Sequence, residues 1–100
     1  MNHSTYPGIH NDKFGGMTDI GQIIRDAWVF DIISEQETCE GWDWGQLENL
    51  YNKVYDAWAS YGHLVSKLPP PLRERHERIY GEALRKARAL GWSVELGEDD

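Results

Sequence analysis

The fold of this protein is set by residues 42–62, which read WDWGQLENLYNKVYDAWASYG. Asp43 is a favourable N-cap residue, and Gln46 three positions later completes the pattern of a capping box. Trp42 before the cap and Leu47 in the first turn are spaced as a hydrophobic staple. These signals together predict a helix that begins immediately after Asp43.

The same stretch carries a helical repeat of apolar residues. They recur every three or four positions, as Leu47, Leu50, Tyr51, Val54, Trp58 and Tyr61. This spacing places them along one face of a helix, which is expected to be the buried face. Gly62 follows and can adopt the left-handed conformation that ends many helices. The helix is therefore predicted to end near Tyr61.

An earlier segment, residues 19–37, shows the same periodicity. Thr18 or Asp19 can cap a helix here, and Asp19 with Gln22 fits a capping box. Apolar residues cover most of the helix surface: Ile20, Ile23, Ile24, Ala27, Trp28, Val29, Phe30, Ile32 and Ile33. Such a helix either lies at the centre of the core or is partly covered by a partner. We predict that it runs from Asp19 to Glu37.

The last helical segment follows a stiff, extended connector that contains Pro69, Pro70 and Pro71. Pro71 suits the first position of a helix, where its missing N–H removes no hydrogen bond. An apolar stripe then continues through Leu72, His76, Ile79, Tyr80, Ala83, Ala87 and Leu90. The pattern predicts a helix from Pro71 to about Leu90, which Gly91 ends.

Three amphipathic helices with short connections predict an all-α fold, a small three-helix bundle with a four-helix bundle as the alternative. Residues 1–16 are polar and contain three glycines, and we expect a flexible N-terminal arm, which is either a mobile tail or a segment that orders on a partner. Residues 17–96 form the single helical domain, in which 93–96 are a short extended piece. Residues 97–100 form an acidic tail.

Composition excludes several classes of protein. The 100 residues include 17 acids and 10 bases, for a net charge of −7, and this length is typical of one domain. No apolar run reaches the roughly 18–20 residues of a membrane helix, and no secretory signal occurs at the N-terminus. The single cysteine, Cys39, indicates a reducing compartment, so we predict a cytoplasmic protein with no membrane partner.

The charge is unevenly distributed along the chain. Residues 17–62 carry nine acids and two bases, whereas residues 63–92 carry three acids and seven bases. The bases of the last helix are Arg73, Arg75, Arg78, Arg85, Lys86 and Arg88. They form either a nucleic-acid-binding face or a set of charges that answer the acids of the other helices. Because the chain as a whole is acidic, we favour the second interpretation and expect no direct binding of nucleic acid.

The sequence contains no pattern typical of an active site or a metal site. A zinc site needs several histidine or cysteine ligands at characteristic spacing, and neither His63 nor His76 has such a neighbour in the sequence. Cys39 lies among carboxylates, which oppose formation of the thiolate that a nucleophilic cysteine needs. The glycines lack the flanking strand and lysine of a phosphate-binding loop. We therefore predict no catalytic residues, no metal, no cofactor and no enzymatic activity.

The connector before the central helix, residues 35–44, is the most informative stretch for function. If this stretch is only a solvated loop, Asp43 serves as a cap and Trp42 as a staple. That interpretation gives no role to Trp44 or to the acids Glu35, Glu37 and Glu40. A tryptophan beside fixed negative charge is also typical of an interface with a basic protein surface. We predict a partner-binding site that consists of Glu35, Glu37, Glu40, Trp42, Asp43, Trp44 and Glu48.

At the level of class, the chain resembles the small acidic inhibitors that phages encode against host nucleases, the anti-CRISPR proteins. The resemblance rests on size, the charge of −7, the acidic 35–48 region and aromatic richness. It implies a stoichiometric inhibitor in a bacterial host cell, a DNA mimic whose carboxylates replace phosphates on a basic site of a nucleoprotein complex. It would block access of DNA to that site and act as a monomer or weak dimer.

Two other functions stay open. A structural subunit or helical adaptor would seat the apolar excess around Trp28, Val29 and Ile32 against a cognate chain or a second copy. An enzyme or small-ligand binder would use the tryptophans as a stacking platform, and it would need a pocket.

Overall fold

The computed structural model describes residues 5–91. Three α-helices occur in this range: α1 (Asp19–Val29), α2 (Trp44–Ala59) and α3 (Pro70–Ala89). Short 3₁₀ turns lie at Ile9–Asn11, Lys13–Gly15 and Val65–Lys67, and residues 5–91 contain no strand. The prediction of an all-α three-helix protein is confirmed. The extended piece at 93–96 and the acidic tail at 97–100 lie outside the described residues.

The central helix of the fold is α1, against which α2 and α3 both pack. Its residues Ile24, Ala27 and Val29 are fully buried. A helix in this position must be apolar on several faces, as the sequence of α1 is. The interpretation that this apolar helix lies at the centre of the core therefore agrees with the structure.

The end of α1 differs from the prediction, because the helix stops at Val29 and not at Glu37. Asp31 adopts a left-handed conformation with φ of 59°. Its N–H donates to the carbonyl of Trp28 at 3.1 Å, and the N–H of Ile32 donates to that of Ala27 at 2.8 Å. This pair of bonds is a Schellman motif with aspartate where glycine is usual, so the sequence carried no stop signal.

The start of α1 depends on a close approach between two backbone segments. Thr18 is the N-cap, and its side chain accepts a hydrogen bond from the N–H of Gly21 at 3.0 Å. The capping box expected for Asp19 and Gln22 does not form, because Thr18 is the N-cap and the residue three positions later is Gly21, which has no side chain to complete a box. A Cβ at position 21 would lie 1.8 Å from the carbonyl oxygen of Gly16. Only glycine at position 21 lets this turn pack on the helix.

Residues 5–16, here called the N-terminal strap, pack against the helices, unlike the flexible arm expected from the sequence. The side chains of Tyr6 and Ile9 are 5% and 1% exposed. The N–H of Tyr6 donates to the carbonyl of Trp42 at 2.9 Å, and the N–H of Gly41 donates to that of Tyr6 at 2.8 Å. The strap therefore completes the core. Two isolated apolar residues have no periodicity, so the sequence pattern gave no sign of it.

A buried arginine holds the strap to α1. Arg25 is only 4% exposed, and its guanidinium donates to the carbonyls of Gly15 and Gly16 at 2.5 and 2.6 Å. The buried guanidinium thus satisfies two carbonyls that α1 covers. This arrangement removes one of the two bases of residues 17–62 from the surface.

The start of α2 agrees with the prediction. The side chain of Asp43 accepts from the N–H of Gln46 at 2.8 Å, and the side chain of Gln46 accepts from the N–H of Asp43 at 3.0 Å. This is a complete capping box. Leu47, Leu50 and Val54 form the buried face of the helix.

The third helix begins at Pro70, one residue before the predicted start, with Pro69 as its N-cap residue. It buries Ile79, Ala83 and Ala87. Small side chains on this face allow a close approach to the rest of the fold. Leu90 was expected on the buried stripe, but it is 57% exposed. The reason is that Leu90 already lies past the last helical residue.

Candidate functional site

The connector between α1 and α2, residues 30–43, is ordered by contacts at its centre. Cys39 is fully buried and has a φ of 64°. Its N–H donates to the Glu37 carboxylate at 2.9 Å, and the indole N–H of Trp28 donates to the Glu37 carbonyl at 3.0 Å. The connector therefore presents its exposed side chains from a fixed backbone.

Besides Asp43, which caps α2, three of the seven predicted site residues have structural contacts. Trp42 is half-buried against the core, and Glu37 caps the N–H of Cys39. Glu35 forms a two-bonded ion pair with Arg78 of α3, at 2.8 and 3.1 Å. The Arg78 guanidinium beside it lowers the pKa of Glu35. Each of these side chains is thus occupied within the molecule.

The other four predicted residues, Glu40, Asp43, Trp44 and Glu48, are exposed and are here called the acidic Trp44 surface. Trp44 is the first residue of α2, and its side chain is 56% exposed. Glu48 lies one helical turn further along the same face. None of the three carboxylates forms an ion pair within residues 5–91, where the single ion pair is that of Glu35 with Arg78.

Two tyrosines extend this surface along α2. Trp44, Glu48, Tyr51 and Tyr55 are spaced by four, three and four residues, so they share one helix face. Tyr51 and Tyr55 are 47% and 53% exposed, with ring centroids 6.3 Å apart. Tyr51 was expected on the buried face. The spacing of these four residues was visible in the sequence, and the apolar interpretation of Tyr51 concealed it.

A polar cluster joins all three helices beside this face. The Asp26 carboxylate accepts from the indole N–H of Trp58 at 3.0 Å and from the hydroxyl of Tyr80 at 2.6 Å. Burial raises the pKa of Asp26, and the two hydrogen bonds offset only part of this effect. The ring of His76 lies 4.5 Å from that of Tyr80. In residues 5–91 no buried side-chain nitrogen or oxygen lacks a hydrogen-bond partner, which is typical of a structural network.

Two bases in the first turns of α3 donate hydrogen bonds to backbone carbonyls. Arg73 donates to the carbonyls of Ser66 and Leu68, and Arg75 donates to the carbonyl of Val29 at 3.1 Å. Arg78 pairs with Glu35. Charges of α3 therefore tie the loops to the helix, and one of them answers an acid of the connector.

The thiol of Cys39 is buried, and the histidines of the described chain do not gather into a metal site. Burial, together with the Glu37 carboxylate, raises the pKa of Cys39 to about 12, so the thiol is protonated at neutral pH. Within residues 5–91, no three His, Cys, Asp or Glu side chains group to hold a metal ion. Among the helices described, none combines the length and apolar character needed to cross a bilayer.

Comparison of the chain with protein-family models, with curated proteins and with solved structures gives no match. The feature that stands out in residues 5–91 is the exposed aromatic and acidic face of α2.

Proposed function

We propose that this protein is a non-enzymatic binding protein that docks its acidic Trp44 surface on a basic surface of another protein. The observation that carries the proposal is the exposure of Trp44 among carboxylates. Its side chain is 56% exposed, and Glu40, Asp43 and Glu48 lie near it in sequence without an ion pair in the described chain.

The physical reason is the complementarity of this surface to lysine and arginine. An indole provides a large apolar area at the centre of an interface, where tryptophan is enriched among residues that dominate binding. Carboxylates around it steer a basic partner to the surface and penalise acidic ones. The capping box anchors the first turn of α2, so little conformational entropy is lost when the indole binds.

The partner that fits best is a basic nucleic-acid-binding site of a nucleoprotein complex, such as a CRISPR–Cas surveillance complex. Residues 17–62 carry nine acids and two bases, and Arg25 is buried. Such a surface can take the place of phosphates and block access of DNA. On this proposal, the protein is a phage-encoded inhibitor that acts as a monomer or weak dimer in the bacterial cytoplasm and binds no nucleic acid itself.

The alternative function is a structural subunit or adaptor. The sequence favoured it because α1 is apolar on most faces, and the structure weakens that support. Val29 is fully buried, and Trp28 and Ile32 pack against the core of the same chain. The apolar excess of α1 is thus covered within the molecule. Sedimentation distinguishes the two functions, since a stable homodimer favours the structural subunit and a monomer favours the binding protein.

The test of the proposed function is a charge reversal confined to exposed carboxylates. The double variant E40K/E48K is expected to lose the partner that the unmodified protein captures in a bacterial lysate, with a loss of at least tenfold in affinity. Glu37 and Asp43 are left intact because their side chains cap backbone N–H groups. The captured partner is then titrated against both proteins at increasing salt, which should weaken binding.

The matched control is E74K/E77K, which makes the same change of charge at two exposed positions of α3. It should capture the partner as the unmodified protein does. Equal capture by E40K/E48K and the unmodified protein contradicts the proposal, and so does equal loss in both double variants. Circular dichroism confirms that all three proteins contain the same amount of helix.

A further inference from the structure

An open groove of about 370 Å³ lies between α1 and α2, beyond the acidic Trp44 surface. Its walls include four aromatic side chains, those of Tyr51, Tyr55, Trp58 and His63. The rings of Tyr55 and His63 are 4.8 Å apart, and those of Tyr51 and Tyr55 are 6.3 Å apart. The groove is therefore lined by aromatic faces and is open to a ligand.

The groove carries negative charge and no lysine or arginine. Asp19 and Asp26 are the charged residues in its wall. Both oxygens of Asp26 already accept hydrogen bonds, from Trp58 and Tyr80. Asp19 is exposed and forms no ion pair within the described residues. A carboxylate beside aromatic faces attracts a cation, because the faces of the rings are also electron-rich.

We propose that this groove receives an arginine side chain of the partner protein. A guanidinium stacks on aromatic rings and forms a two-bonded pair with a carboxylate, which suits an open, aromatic site better than the compact ammonium of lysine. The proposal rests on the proposed function, because the occupant belongs to the protein that binds the acidic Trp44 surface.

The geometry of α2 connects the two sites. Trp44, Glu48, Tyr51 and Tyr55 share one helix face, and a helix rises 1.5 Å per residue, so Trp44 and Tyr55 are about 16 Å apart along the axis. A partner would reach the groove with an arginine about 16 Å from the group that contacts Trp44. The groove thus adds a specific contact to an otherwise charge-driven interface.

The test uses capped arginine, N-acetyl-arginine N-methylamide, and the neutral capped citrulline of nearly the same shape. Nuclear magnetic resonance of the full chain follows the indole N–H of Trp58 and the backbone amides near Tyr51 and Tyr55. Capped arginine is expected to cause saturable shifts of these signals, and capped citrulline is expected to cause none.

Two variants locate the binding. Tyr55→Ala removes one aromatic wall, and Asp19→Asn removes the free carboxylate, and both residues are exposed. Each should weaken binding of capped arginine by about fivefold, the effect of one cation–π or charge contact. Lys53→Ala, an exposed position outside the groove wall, is the control and should leave binding unchanged.

Three results would overturn the proposal: no shifts up to the solubility limit of capped arginine, equal shifts with capped citrulline, or unchanged binding in both variants. The outcome is separable from that of the proposed function. If E40K/E48K loses the partner while capped arginine fails to bind the groove, the groove proposal alone fails. If capped arginine binds the groove while E40K/E48K keeps the partner, the acidic Trp44 surface is the part that fails.

Discussion

At the scale of single residues, the Asp26 carboxylate connects all three helices by hydrogen bonds. It lies on α1, accepts from Trp58 of α2 and accepts from Tyr80 of α3. Burying a carboxylate is unfavourable, which is why its pKa is raised. Two donors make the burial tolerable. The indole N–H of Trp58 has Asp26 as its acceptor, whereas the Tyr80 hydroxyl also lies 3.1 Å from the carbonyl of Gln22.

Replacing Asp26 by alanine is expected to lower the free energy of unfolding by about 1–3 kcal/mol, because the half-buried indole N–H of Trp58 loses its acceptor and the Tyr80 hydroxyl keeps only its 3.1 Å contact with the Gln22 carbonyl. Urea denaturation measures the change. The control is Asp56→Ala on the exposed face of α2, for which we expect a change within about 0.5 kcal/mol. Equal effects of the two variants would show that the cluster contributes little.

The pH dependence of stability tests the same side chain. The folded pKa of Asp26 lies above its ordinary value of 3.8, so the folded state binds the proton more tightly than the unfolded state. Its contribution to stability is therefore complete below pH 3.8 and is lost as pH rises through the folded pKa. The unfolding free energy of wild type minus that of Asp26→Asn should fall over this interval, and a flat difference would contradict the assignment.

At the scale of elements, the left-handed residue at the end of α1 makes room for the connector. Asp31 stops the helix at Val29, and the chain turns so that Cys39 is buried and Trp44 starts α2. A longer α1, as the sequence pattern suggested, would leave too few residues for these contacts.

Substituting Asp31 by glycine should stabilise the protein by about 1 kcal/mol, because glycine adopts a positive φ without a steric cost. Asp31 is exposed, so the change removes no buried contact. Thermal and urea unfolding measure it. Asp31→Ala keeps a Cβ in the same conformation and is expected to give no such gain. A stabilisation of equal size in the alanine variant would refute the backbone explanation.

At the scale of the whole molecule, the core is closed by segments that are far apart in sequence. The strap supplies Tyr6 and Ile9, α1 supplies Ile24 and Ala27, and the connector supplies Cys39. We therefore expect the strap to unfold together with the helices.

Ile9→Ala is expected to destabilise the entire fold by about 2–4 kcal/mol, the range for truncation of a fully buried aliphatic side chain. The neighbouring His10 is exposed, and His10→Ala serves as the control with little effect. Urea unfolding followed by tryptophan fluorescence and by circular dichroism should show one shifted transition in both signals. An unchanged midpoint would place the strap outside the core.

In the candidate site, features with a local cause were predictable from the sequence, and features that depend on distant residues were not. The positions of Trp44 and Glu48 on the first turns of α2 were predictable, because the capping box fixes where the helix begins. The ion pair that occupies Glu35 was not, because its partner Arg78 lies 43 residues away. The exposure of Tyr51 depends equally on where α1 packs, since a tyrosine suits a buried or an open face.

The sequence by itself determined the helical class of this protein and the start of α2. Periodicity and capping act within a few residues, and their energies do not depend on the rest of the chain. The tertiary structure alone decided where α1 stops, that the strap enters the core, and which acids of the connector stay unpaired. These features depend on a left-handed aspartate and on contacts between distant segments, for which neighbouring residues carry no signal.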